Sequence, residues 1–145
     1  MAVTGAISAF GTLLKRGNGA TPETFTTVGE VRNITGPNLK LDTEDVTNHD
    51  STGGWAEVIP TILHGGDIKF DVNYKPTDAT HNATVGVIAD MTARTRRNWQ
   101  LVFPTPAPTT WAFAAFVESF NPKEPVKGEL SASIGLQVTG QPTLV

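Results

Sequence analysis

The stretch GDIKFDVNYK, residues 66–75, alternates small or polar side chains with apolar ones over its whole length. The apolar members all point to one side; these are Ile68, Phe70, Val72 and Tyr74. The next residue, Pro76, ends the pattern. A period of two is that of a β-strand with one face in the core and the other in water. This segment is therefore the clearest predicted strand of the chain.

Weaker signals of the same kind lie on both sides of this strand. The other predicted strands are residues 25–33, a short strand from Leu39, residues 99–103 and residues 130–138. Pro104, Pro106 and Pro108 follow the strand at 99–103 and end it, because proline cannot donate a hydrogen bond to a neighbouring strand.

Residues 111–120 are apolar on both faces. In an extended conformation Trp111, Phe113 and Val117 lie on one face, and Phe116 and Phe120 lie on the other. Such a strand is typical of a sheet covered on both sides. We expect it to lie between two layers or at a subunit interface.

The period changes between residues 78 and 94. Apolar residues recur there at four-residue steps, at Ala79, Ala83, Val87 and Met91, and Asp78 is available as a helix cap. This spacing predicts one amphipathic helix of about four turns.

Together, these segments predict a mainly β fold, a β-sandwich or partly closed barrel with one α-helix. The length of 145 residues fits a single domain. Residues 1–24 have no sustained period and contain several glycines, so we predict an N-terminal arm at 1–24 and the domain at 25–145.

Residues 43–65 are predicted to form a long loop. Its first half is polar, and its second half carries the apolar residues Trp55, Val58, Ile59, Ile62 and Leu63. Loops longer than about 12–15 residues are uncommon in compact domains unless they have a function. We expect this loop to become ordered against a partner.

The composition argues against several functional classes. The net charge is −3 and no basic run exceeds two residues, whereas nucleic-acid binding requires clustered Lys and Arg. The sequence contains no Cys, which excludes disulfides and is compatible with a reducing cytoplasm. Lys15 and Arg16 follow the apolar stretch at 1–10, the wrong order for a secretory signal, and no apolar run approaches the ~18 residues of a membrane span.

No catalytic or cofactor motif is found. The acidic run at 42–50, with His49 and Asp50, does not match the EF-hand spacing, so a solvated or interface loop is the better interpretation. The carboxylates of Asp67 and Asp71 share a strand face with Lys69, which favours a plain polar face over acid–base chemistry. The sequence predicts a protein that is not an enzyme and that has no metal and no cofactor.

The segment EDVTNHDSTGGW, residues 44–55, resembles the long loop of the major tail tube proteins of siphophages, the bacteriophages with long non-contractile tails. The likeness continues through Glu57, Ile59-Pro60, Gly65-Gly66 and Phe70 to Tyr74-Lys75-Pro76. It is also present at residues 11–15, 99–104 and 138–142, so it covers nearly the whole chain in order.

This resemblance implies a fold shared with other phage tail tubes and with the tube protein of type VI secretion. Subunits would form hexameric rings that stack through the long loop and the terminal arms. The lumen would hold the tape measure protein and later pass DNA, and the ends would meet tail tip or baseplate and tail terminator proteins. The protein would be assembled in the host bacterial cytoplasm and would reside in the virion tail, with no membrane contact.

On that expectation, two sets of residues are candidates for the tube's surfaces. The polar faces of the two cleanest strands are predicted to line the channel, the alternative being the outer surface of the tube: Asp67, Lys69, Asp71, Asn73, Ser131, Ser133 and Gln137. The long loop is predicted to supply contacts between subunits and rings, the alternative for its apolar members being an ordinary core: Asp45, Asn48, His49, Asp50, Trp55, Ile59, Ile62 and Leu63.

The second functional class is a β-sandwich that does not form tubes. A capsid decoration protein or a carbohydrate-binding module would be a stable monomer or closed oligomer. It would present an exposed aromatic platform, for which Trp99 and Trp111 are the candidates.

Overall fold

The computed structural model describes residues 4–105 and 109–144, so the predicted strand breakers Pro106 and Pro108 lie outside the described residues. Within these ranges the chain forms nine strands, one α-helix and one short 3₁₀ helix. In chain order the elements are β1 (Leu13–Gly17), β2 (Phe25–Thr27), β3 (Val31–Thr35), β4 (Lys40–Asp45), a 3₁₀ helix (Thr52–Gly54), β5 (Val58–His64), β6 (Asp67–Asn73), α1 (Val87–Thr92), β7 (Arg97–Val102), β8 (Thr110–Lys123) and β9 (Ser131–Leu144).

Seven of the strands form one antiparallel sheet in the order β2-β1-β7-β8-β9-β6-β3. A flat sheet of this size would separate its edge strands by roughly 29 Å, at about 4.8 Å a strand. The two edges, β2 and β3, are joined only by Val28, Gly29 and Glu30, a link that spans at most about 14 Å. The sheet must therefore curl back on itself, and Val28 is buried where its edges meet. The predicted mainly β fold with one helix is confirmed.

The core lies on the concave face of this curled sheet. Most of the predicted inward-facing residues of β6, β7 and β9 are buried, whereas Leu130, directly before β9, is exposed. The buried residues are Ile68, Phe70, Val72, Trp99, Leu101, Ala132, Ile134, Leu136 and Val138. These strands follow the period-two pattern because one face is dry and the other is wet.

A bulge in β8 changes the predicted faces of that strand. The register with β9 shifts between Val117 and Ser119, so Val117 lies opposite Leu136 and Phe120 lies opposite Ile134. The extra residue in the bulge returns Phe120 to the core side. Its ring packs edge-on against the ring of Tyr74, with 5.2 Å between the two ring centroids. The prediction that Phe120 and Val117 lie on opposite faces is wrong, whereas Phe116 does lie on the outer face.

The predicted helix over 78–94 is wrong in its first half, because only Val87–Thr92 is helical. The side-chain oxygen of Asn82 accepts hydrogen bonds from the backbone N–H groups of Thr84, Val85 and Gly86, at 3.1, 2.8 and 3.1 Å. A side chain that satisfies three consecutive backbone donors replaces helical bonds with a turn.

The predicted strand at 25–33 is two strands on opposite edges of the sheet. The chain turns at Glu30, whose φ of 58° is left-handed. The backbone N–H of Gly29 donates to the hydroxyl of Thr80 at 3.1 Å, which fixes the turn against the segment before α1. The apolar alternation continues across this break, so the pattern alone does not reveal it.

The predicted arm at 1–24 also needs correction, because Leu13–Gly17 is strand β1, between β2 and β7. Leu14 is fully buried. Its strand lacks the apolar alternation because the next inward position is Arg16, which is paired with a buried carboxylate, Asp90.

Candidate assembly surfaces

The predicted long loop at 43–65 is a β-hairpin, which corrects the prediction. Strands β4 and β5 pair outside the main sheet, with Lys40 opposite His64 and Asp45 opposite Val58. The β-branched residues of β5 favour a strand, and pairing with β4 satisfies the backbone groups that a loop would expose.

The tip of this hairpin, residues 46–57, is held by its own polar groups. Asp45 accepts a hydrogen bond from the backbone N–H of Thr47 at 2.9 Å, and the hydroxyl of Ser51 donates to Glu57 at 2.6 Å. Hydrogen bonds from the side chain and backbone of Thr47 lower the pKa of Asp45. The predicted contact residues Asn48, His49 and Asp50 lie in this exposed tip, and Asp45 is exposed directly before it, at the end of β4.

A polar cluster marks the base of the hairpin. His64 Nε2 lies 2.7 Å from a carboxylate oxygen of Asp42, and Lys40 Nζ lies 3.6 Å from the other oxygen. The hydrogen bond to His64 is the main cause of a lowered pKa of Asp42. Within residues 4–105 and 109–144, no group of three or more His, Cys, Asp or Glu side chains is placed to hold a metal ion.

The hairpin exposes an unusual amount of apolar surface. The predicted contact residues Trp55, Ile59, Ile62 and Leu63 are 79, 48, 62 and 78% exposed, so none belongs to the core of the single chain. Sequence reasoning did not select four other exposed side chains of the same hairpin and its entry: Leu39, Leu41, Val46 and Val58. Monomeric soluble proteins rarely leave so many large apolar side chains of one element uncovered, so the hairpin marks an interaction surface.

A groove of about 730 Å³ separates the hairpin base from the main sheet. Its apolar walls are Leu39, Leu41 and Leu63 on one side and Trp111, Pro142 and Leu144 on the other. Trp111 is half-buried, and Trp99 is fully buried in the core. The aromatic platform considered for a binding module therefore cannot include Trp99.

The second candidate surface is the polar face of β6 and β9. The two strands are neighbours, and the structure brings all seven predicted channel residues to one face, with Asp67 opposite Gln137, Asp71 opposite Ser133 and Asn73 opposite Ser131. The hydroxyl of Ser133 donates to Asp71 at 2.7 Å. Lys69, the one cation of the set, lies 3.8 Å from Asp67 and is exposed.

This face carries three charged side chains: Asp67 and Lys69 lie close together and partly neutralise each other, and Asp71 accepts the hydrogen bond from Ser133. Its other members are uncharged amides and hydroxyls. The face is polar, and its three charged groups leave a net charge of −1. It offers no arrangement that would grip a polyanion, which requires several unpaired cations.

No helix among the described residues is both long and apolar enough to cross a membrane.

Comparison with known families places these surfaces in context. A family model described as lambda phage tail tube protein matches residues 11–145. No curated protein gives a significant match.

Several solved structures share the fold at low identity. A chain of the tail of an empty gene transfer agent particle, refined with C6 symmetry, is 19% identical, with a TM-score of 0.74 over 97% of this chain and 99% of that one. A chain in the sheath/tube terminator structure of PVC, an extracellular contractile injection system, is 13% identical, with a TM-score of 0.71 over 99% of both chains. A chain of the SPP1 tail tube is 16% identical, with a TM-score of 0.60 over 92% of this chain and 74% of that one.

Proposed function

The chain belongs to the lambda phage tail tube protein family, and from that premise we propose that it polymerises into hexameric rings that stack into a virion tail tube for genome delivery. The uncovered apolar hairpin carries this proposal. Ile62 and Leu63 are 62 and 78% exposed on a strand whose residues are all exposed. Self-assembly would remove this surface from water.

The hexameric ring is supported by the C6 symmetry with which the similar gene transfer agent tail was refined. The strand edges of the single chain point the same way. Strands β4 and β5 pair only with each other, so the outer edge of each presents backbone groups that could pair with another chain. A closed ring would cover such edges and leave none for uncontrolled pairing.

We propose that the polar face of β6 and β9 lines the lumen. Its seven residues carry two acidic groups and one cation, so a passing DNA strand would meet no row of phosphate-binding side chains. The same wall would surround the tape measure protein during assembly in the host cytoplasm. Tail tip and terminator proteins would close the two ends of the stack.

Electron microscopy tests the tube directly. Purified protein would be examined by negative stain at increasing concentration, with sedimentation in parallel and with tail tip complexes added as seeds. We expect rings or hollow tubes. Monomers that stay inert even with seeds would contradict the tube and favour a binding module.

The absence of Cys from the sequence allows a clean test of the lumen. Lys69→Cys places one thiol on the polar face, at a side chain that is exposed in the single chain. In tubes, a small maleimide should still react, whereas a maleimide attached to a bulky protein should react with free subunits only. Equal reaction of both reagents with tubes would place this face on the outside.

A further inference from the structure

The hairpin is acidic as well as apolar. Between Lys40 and Lys69 the sequence has no Lys or Arg, but it has six carboxylates, and five of them lie at 42–57. Glu44, Asp45, Asp50 and Glu57 are exposed towards or at the tip. A surface of this kind repels a second copy of itself, so its partner surface must differ in charge.

The same chain carries an exposed cationic pair elsewhere. Arg94 and Arg96 lie in the turn between α1 and β7, and both side chains are exposed. Among the residues that the structure describes, neither forms an ion pair, whereas the adjacent Arg97 is engaged by Asp90. Arg96 also borders a shallow depression of about 350 Å³ whose lining includes Phe25 and Gln141.

The two surfaces extend from the main sheet in opposite directions, because the hairpin precedes β6, the arginine pair precedes β7, and these two strands are antiparallel. Strand β7 begins at Arg97 and ends at Val102, and its last residues are level with Leu13 and Trp111. The hairpin precedes β6 and lies towards the end of the sheet at which β7 ends. At the junction the backbone N–H of Val138 donates to the carbonyl of Gly66, and Leu63 lines the same groove as Pro142 and Leu144. The arginine pair precedes the other end of β7. Segments that extend in opposite directions can meet between successive copies of a head-to-tail stack.

We propose that the hairpin of one copy docks on the Arg94 and Arg96 surface of a copy in the next ring. The inference rests on the proposed tube and names the receiving surface for its stacking contact. Guanidinium groups pair with carboxylates and stack on aromatic rings, so they match both the acidic side chains and Trp55. The apolar strand β5 supplies buried area, and the charges set direction and register.

Charge reversal on each side, and on both, tests this pairing. The variants are Arg94→Glu/Arg96→Glu, Glu44→Lys/Asp50→Lys, and the four substitutions combined. Glu44 and Asp50 are suitable because their carboxylates accept no hydrogen bond from the described residues, so the hairpin keeps its internal contacts. The combined variant has the net charge of the unmodified chain, so bulk charge cannot explain its behaviour.

The measurement is the protein concentration at which half of the chain sediments as tubes, at about 50 mM and about 500 mM NaCl, with tubes verified by electron microscopy. Each double variant should raise this concentration by on the order of tenfold or more. The combined variant should return to near the unmodified value. High salt should weaken assembly of the unmodified chain, since it screens exposed charges.

Lys123→Glu/Lys127→Glu provides the matched control, because it makes the same charge change at two exposed lysines outside both surfaces. It should assemble like the unmodified chain. Thermal unfolding of each monomeric variant shows whether a loss of assembly is caused by a loss of folding. If the arginine variant does not fold, Glu44→Lys/Asp50→Lys still tests the pairing from the hairpin side.

Normal assembly of Arg94→Glu/Arg96→Glu would overturn the pairing, as would a folded combined variant that stays as poor as the double variants. If the unmodified chain forms no tubes even with seeds, the proposed function itself fails and the pairing fails with it.

Discussion

The Nε atom of Arg16 lies 2.6 Å from an oxygen of Asp90, a carboxylate with only 2% of its side-chain surface exposed. Arg97 donates to the other oxygen at 2.5 Å. Each arginine also donates to a backbone carbonyl, Arg16 to Val85 and Arg97 to Gly17. One buried anion thus joins α1 to β1 and β7.

Removing that anion should strongly destabilise the fold. Asp90→Ala would leave two largely buried guanidinium groups without their counter-charge, a change that costs about 3–5 kcal/mol. Urea unfolding of the monomer would measure the difference. Asp50→Ala, at an exposed carboxylate, should change the free energy of unfolding by less than about 0.5 kcal/mol. Equal effects would show that the cluster contributes no special stability.

The cluster shows where sequence reasoning reaches its limit. Arg16 and Asp90 are 74 positions apart, and only the folded sheet brings them together. Inward-facing arginine also hid β1, because a pattern search expects apolar residues on the buried face. A strand that buries an ion pair gives no such signal.

Other parts of the fold could be predicted because one local rule was sufficient. Strands β6 and β9 alternate cleanly since one face is buried and the other is wet, and that alternation also placed the seven polar residues on one surface. The bulge after Val117 and the left-handed turn at Glu30 depend on pairing between distant segments, so the sequence could not predict them. The exposed hairpin residues were identifiable as apolar from the sequence.

Gly66 should tolerate no side chain. Its φ of 73° is left-handed, and a Cβ there would lie 1.9 Å from the carbonyl oxygen of Asn38. Gly66→Ala therefore adds a backbone clash to the conformational cost of about 1–2 kcal/mol. Because Gly66 joins the hairpin to β6, we expect either poor folding or a displaced hairpin.

Gly54 offers the matched comparison, since its φ is 74° and a Cβ there would meet nothing within 4 Å. Gly54→Ala should cost only the conformational part, about 1–2 kcal/mol, with assembly retained. Thermal unfolding and sedimentation of both variants would test this. If both lose the same stability, the clash at Gly66 is relieved by local movement.

Asp78 should contribute stability that is lost in acid. Its carboxylate accepts hydrogen bonds from the backbone and hydroxyl of Thr80, at 2.8 and 2.6 Å, and these bonds lower its pKa. A lowered pKa in the folded state means that the stabilisation is complete above the unfolded value of about 3.9 and is lost as the pH falls through the folded value. Asp78→Asn should therefore be less stable than the unmodified chain near neutral pH, with a difference that shrinks below about pH 4.

Urea unfolding from pH 3 to pH 7 would measure this difference. Asp42, Asp45 and Glu129 also have lowered pKa values, and since they are present in both proteins their effects cancel. Asp50→Asn is the control, because that carboxylate accepts no hydrogen bond from the described residues. A constant difference across the pH range would contradict the assigned role of Asp78.

The apolar strand of the hairpin should be needed for assembly and not for folding. Ile62→Thr/Leu63→Thr keeps a residue that suits a strand at both positions but removes much of the exposed apolar surface. Because both side chains are exposed in the single chain, the free energy of unfolding of the monomer should change by less than about 0.5 kcal/mol each. The sedimenting fraction at a fixed concentration should fall sharply, since the contact would lose hydrophobic area.

Val126→Thr makes the same kind of change at a fully exposed residue outside the hairpin and should assemble normally. Normal tubes from the hairpin variant would mean that Ile62 and Leu63 contribute no hydrophobic area to assembly.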